Sequence, residues 1–218
     1  NIKKIKKYLF FLIKNDIIKI INTFNKKGEV VNAKLAPIIK VYHCNLSEKC
    51  NEFISENKLL ESNHPYDSLW LGKGMYFWDN FGNAKYWKNE KLKKDKTKNF
   101  KIVSCFVSLE KMLDLTDNEE IEIIDRIWKS VDLEPKLNIK KKKITKIGDK
   151  LNFLFDFIPE FLKEYNIIKT IGENYKYNNH FFNNEKINST KPGTSSKVIY
   201  NAKEINCIKN IGRVIEDE

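Results

Sequence analysis

Arginine is almost missing from this chain. Of its 40 basic side chains only Arg126 and Arg213 are arginine, and the rest are lysine. Lysine meets a phosphate as a point charge and lacks the planar fork that reads a base edge. The scarcity argues against sequence-specific readout of nucleic acid. Glycine (8) and proline (5) are scarce in 218 residues, which excludes a low-complexity chain. The four cysteines, Cys44, Cys50, Cys105 and Cys207, form no Cys-x-x-Cys pair and no zinc-ribbon spacing. No metal is therefore expected, and a reduced, cytoplasmic protein is the default. No apolar run approaches the ~20 residues that cross a bilayer, so no transmembrane segment is expected.

What is present fits one globular domain. The hydrophobic fraction is 41% and the aromatic fraction 12%, enough for a sizeable core. Charged residues reach 32% and the net charge is +11. Such a surface attracts phosphates, nucleic acid and anionic membranes. Lysine clusters at 88–98 and 136–150, with Lys140 to Lys143 consecutive, are the candidates for that contact. At the N-terminus four lysines precede Tyr8 to Ile13, as in a signal peptide, but Lys14, Asn15 and Asp16 interrupt the run. Ile5, Leu9, Leu12, Ile13, Ile17, Ile20 and Ile21 recur at helical spacing. Residues 1–36 are therefore expected to be a helical segment packed on a main domain of residues 37–218.

The main domain reads as mixed α+β. Ile38 to His43, Met75 to Trp78, Ile102 to Leu109, Val198 to Tyr200 and Ile205 to Ile208 read as strands. Helices are expected after Ser47, which can cap, from Asn80 to Lys88, after an Asp117/Glu120 capping box, and around Leu151 to Leu162. Pro159 interrupts the last of these.

One stretch carries more information than the rest: Leu71-Gly72-Lys73-Gly74-Met75-Tyr76-Phe77-Trp78. Two closely spaced glycines allow a backbone to approach a ligand, and a ring follows at once. Tyr42-His43-Cys44-Asn45 precedes it, and Ala84 and Trp87 follow at helical spacing. In this order the segments resemble the ADP-ribosyltransferase superfamily. There a first strand ends in a Tyr-His-Gly-Thr-like motif, a second carries Gly-x-Tyr-Phe, and an Ala-x-x-Trp helix comes next. Leu113-Asp114-Leu115-Thr116 and Cys207-Ile208-Lys209 resemble further elements of uncharacterised bacterial members.

The resemblance implies a split β-sheet core with flanking helices and NAD as substrate. Transfer passes through an oxocarbenium-like transition state, so the protein mainly positions and stabilises charge. His43 would bond a ribose hydroxyl, the backbone of Cys44 and Asn45 would hold the nicotinamide amide, and Tyr76 would stack on its ring. Gly74 would admit the ligand, and His43 and Tyr76 would share one cleft, so that His43→Ala spares folding stability. The family has Gly and Thr or Ser where this chain has Cys44 and Asn45. Its late acidic or amide residue falls near Val198 or Ile199 here. Glu204 is the nearest acid, with Asn201 and Ser196 as other polar choices. A nucleic-acid or protein acceptor, and a toxin or phage-defence role, are what the resemblance implies. The alternatives are a catalytically degenerate nucleic-acid-binding member and an RNA 2′-phosphotransferase, whose chemistry normally depends on extra arginines.

Overall fold

The structure is a computed structural model that describes residues 37–62, 64–132, 144–173 and 196–215. The expected helical segment 1–36, the consecutive lysines 140–143 and the Asn-rich stretch 174–195 lie outside the described residues.

Seven strands form one sheet: β1 Ile38–Leu46, β2 Met75–Trp78, β3 Phe100–Ser108, β4 Met112–Asp114, β5 Ile167–Glu173, β6 Ser196–Ala202 and β7 Ile208–Ile215. Their order is β4-β5-β6-β2-β1-β3-β7. Only β4 and β5 run parallel. Among the described residues five helices flank the sheet: α1 Ser47–Glu56, α2 Phe81–Lys94, α3 Asn118–Asp132, α4 Ile147–Phe157 and α5 Pro159–Glu164. The expected α+β class holds among the described residues.

Strand alternation decides what each face buries. Val41, Met75, Phe77, Val103, Cys105 and Tyr200 gather on one face, where α1 delivers Cys50 and Phe53. On the other face Ile168 and Ile199 join Leu71, Ile127, Leu154 and Phe161. Beside them α2 places Ala84 against Cys44 and Ile102. The sheet is thus a middle layer, buried on both sides at its centre.

Several local expectations are corrected. Ser47 does not cap α1; its hydroxyl and its amide both donate to Asn99 O, at 3.3 and 2.9 Å. The Asp117/Glu120 capping box does not close. Asp117 Oδ1 accepts the Glu119 amide at 2.8 Å, while Glu120 Oε2 accepts the Asp114 amide at 2.6 Å. Glu120 thereby ties α3 to β4 instead of to its own first turn. Among the described side chains of α3, Ile123 and Ile127 are buried, whereas Ile121 is exposed. Residues 205–207 form a 3-10 turn before β7. Pro159 starts a second helix, α5, where its missing N–H costs nothing. α2 begins where expected, with Asn80 Oδ1 accepting the Asn83 amide at 2.8 Å, and runs on to Lys94.

Phe53 is fully buried between α1 and the sheet and touches Phe77, with ring centroids 6.5 Å apart. Phe53→Ala should cost about 3–5 kcal/mol of folding free energy, read as a lower urea midpoint, because the rigid sheet cannot collapse onto the void.

Candidate functional site

The centre of the sheet is held by little. β1 pairs with β3 along its whole length, from Ile38↔Ser108 to Leu46↔Phe100. Against β2 it makes one register pair, Tyr42↔Trp78. The halves β4-β5-β6-β2 and β1-β3-β7 therefore meet through a minimal ladder. His43 spans the gap next to that pair: its Nδ1 lies 2.7 Å from Tyr76 O. A carbonyl only accepts, so Nδ1 carries the proton and Nε2 the lone pair. Asn45 Nδ2 donates to that lone pair at 3.3 Å.

His43 is 9% exposed and packs edge-on against Phe77, ring centroids 5.8 Å apart. Burial, opposed by the bond to Tyr76 and aided by the nearby Lys91 ammonium, lowers its pKa to about 4. The imidazole is neutral at physiological pH.

The residues expected to form one site divide between the two faces. The Tyr42↔Trp78 register puts the His43 side chain on the Phe77 face and the Tyr76 side chain on the opposite one. The shared His43/Tyr76 cleft is thus corrected. What joins them is the Tyr76 carbonyl. The Tyr76 hydroxyl donates to Gly72 O at 2.6 Å and accepts the Leu71 amide at 3.1 Å, so it fastens the glycine turn.

The glycines answer to their own chain. Gly74 has φ +134°, and a Cβ there would lie 2.5 Å from Asn201 Oδ1 and 2.6 Å from Ala202 O. The close approach expected for a ligand is taken by β6. Cys44 is 2% exposed, its side chain packs with Ala84 and Ile102, and its carbonyl accepts Lys91 Nζ at 3.0 Å. The backbone expected to hold an amide already has this partner.

Asn45 and Glu204 do come together. Both line a cavity of about 960 Å³ at the end of β1, with Lys49, Leu60, Lys203 and Asn206 among its other walls. Glu204 Oε2 accepts Asn206 Nδ2 at 2.7 Å. His43 stands one hydrogen bond behind this cavity, through Asn45. None of the described side chains lining it is aromatic.

Lys203 gained weight only from the structure, and Asn201, a secondary polar choice from sequence, gained more. Lys203 donates to Leu71 O at 2.7 Å and also to Lys73 O, with Phe155 beneath its ammonium. Burial, opposed by nearby Asp156 and Asp67, lowers its pKa to about 7. Nothing marks it in a sequence so rich in lysine. Asn201 is fully buried, and neither atom of its carboxamide finds a hydrogen-bond partner among the described residues. Its signal was one polar residue inside an apolar strand.

No protein-family model matches the chain, and no curated protein or solved structure matches it. Among the described residues no three His, Cys, Asp or Glu side chains gather as a metal site, and no helix is long and apolar enough to cross a membrane.

The buried imidazole makes a pH prediction. Its folded pKa of about 4 lies below the ordinary 6.5. Above pH 6.5 it is neutral in both states and contributes no pH dependence. As pH falls below 6.5 the unfolded chain takes up the proton first, so folding stability drops, by about 2 kcal/mol at pH 5. Urea melts at pH 7 and pH 5 should show this drop in wild type and a smaller one in His43→Gln. His43→Ala, expected from sequence to spare stability, should lower it, because it leaves Tyr76 O without its partner.

Proposed function

We propose that the chain is an NAD-dependent ADP-ribosyltransferase-type domain whose chemistry centres on the cavity at the end of β1. The observation that carries this reading is the split itself. A sheet joined through one β1–β2 pair, with a neutral histidine in the gap, matches the split core that the resemblance implies. The order of the parts supports it: His43 near the end of the first strand, Tyr76 and Phe77 in the second, Ala84 and Trp87 on the helix that follows.

In this reading Asn45 and Glu204 act at the ligand. A ribose hydroxyl would donate to His43 Nε2 in place of Asn45. The Glu204 carboxylate, half-exposed in the cavity wall, would stabilise the positive charge that develops on the ribose as nicotinamide leaves. The cavity volume suits a ligand of dinucleotide size. Tyr76 serves as a strut for the Gly72 turn in this scheme and not as the stacking ring.

The degenerate reading has its own support. The Cys44 carbonyl is engaged by Lys91, and among the described residues the cavity offers no ring to a nicotinamide. Nothing comparable favours a phosphotransferase: Arg126 pairs with Glu122 of its own helix, 3.2 Å away.

Titration calorimetry with NAD and a labelled-NAD transfer assay separate these readings. For an active transferase, wild type binds and turns over NAD, while Glu204→Gln keeps binding and loses at least about 100-fold in kcat, because the carboxylate acts on the transition state. Binding without turnover in wild type selects the degenerate reading. Absence of binding removes the transferase reading and leaves the nucleic-acid-binding member as the alternative.

A further inference from the structure

The sheet face that carries Tyr42 and Trp78 is only partly covered by α2. Ala84 and Phe81 pack on it, yet Ile38 and Phe106 remain 56% and 39% exposed. Lys40 is the register partner of Phe106, so the two side chains rise together from neighbouring strands. Tyr42 follows two residues along on the same face, with Lys40 Nζ 5.5 Å from its ring centroid. Phe81 meets Tyr42 edge-on at 6.0 Å, and Lys85 Nζ lies 5.9 Å from the Phe81 ring.

Rings and ammonium groups therefore alternate along one strip. Its register partners on β3 are Ser104, Phe106 and Ser108, and Asn210 of β7 faces Phe106; none of these is acidic. This combination has a physical use. An unpaired base stacks on an aromatic ring with little regard to its identity, while the phosphates beside it need positive charge. Lysine supplies that charge without reading base edges. A duplex gains nothing from the rings, because its base faces are already stacked.

We propose that this strip binds single-stranded nucleic acid, with bases on Phe106 and Tyr42 and backbone phosphates along Lys40 and Lys85. As the surface for an acceptor it rests on the transferase reading. The measurement is made without NAD, so failure of either leaves the other standing.

Fluorescence anisotropy with a short labelled oligouridine tests it. Wild type should bind at low salt, bind a duplex of the same length more weakly, and lose affinity steadily as salt rises. The Lys40→Ala/Lys85→Ala double variant should reduce the slope of log affinity against log salt by about 1.4. Phe106→Leu should lose about tenfold in affinity, while Phe106→Tyr, which keeps a ring, should retain it. Lys129→Ala, which removes an exposed pair with Asp125 and lies outside both lysine clusters, serves as the charge control and should bind as wild type. Thermal melts confirm that each variant folds. Absence of binding at low salt, equal affinity for duplex, or an unchanged Phe106→Leu each overturns the proposal. So does binding to anionic vesicles without binding to the oligonucleotide, which would make the strip a membrane surface.

Discussion

Much of this structure depends on one hydrogen bond, from His43 Nδ1 to the carbonyl of Tyr76. β1 and β2 sit at the centre of a seven-stranded sheet, where a full ladder would be the ordinary arrangement. They share one register pair instead. Beside it, a side chain stands in for backbone pairing, satisfying a carbonyl that burial would otherwise penalise. The imidazole is neutral because it is buried, and the neutral ring has one donor and one acceptor. The donor closes the sheet, and the acceptor is turned towards Asn45. The division of labour between the two nitrogens follows from the geometry.

The strands most legible in the sequence were the central ones. Met75 to Trp78 matches β2 to the residue, and Ile102 to Leu109 is β3 within two residues. Apolar and β-branched runs buried on both faces announce themselves. β4 and β5 passed unread. β4 is three residues long, and β5 follows directly on α5, so neither leaves room for a clear period. The capping errors have one cause. Ser47 and Glu120 fit local rules, but each found a tertiary partner, Asn99 and Asp114 respectively. A local signal competes with every group the fold later brings near.

The site was legible in its order and illegible in its facing. Sequence order set His43 in one strand and the glycine turn and Tyr76 at the next, and those strands are neighbours. Which side of the sheet each residue takes depends on register, and a one-residue change reverses it. Tyr42 pairs with Trp78, so His43 and Phe77 share a face while Tyr76 turns away. Glycine was misread for a related reason. A positive φ at Gly74 shows that a side chain is excluded, but not by what; Asn201 and Ala202 supply the answer.

This division gives the two faces different chemistry. Around β1 and β2, one face holds the neutral histidine, Asn45 and, at its edge, a cavity walled by lysines and carboxylates in mixture. The other holds half-buried rings under α2 and, beyond them, Phe106 and lysines open to solvent. A group neutralised by burial can accept a hydrogen bond from a sugar without repelling nearby cations, which suits a basic protein. The excess positive charge is useful where it stays in water, on the strip around Lys40 and Lys85. A net charge of +11 could otherwise be read as a uniform property of the surface. The register of β1 against β3 gives part of it a location, because Lys40 must rise beside Phe106 if Val41 is to be buried opposite Cys105.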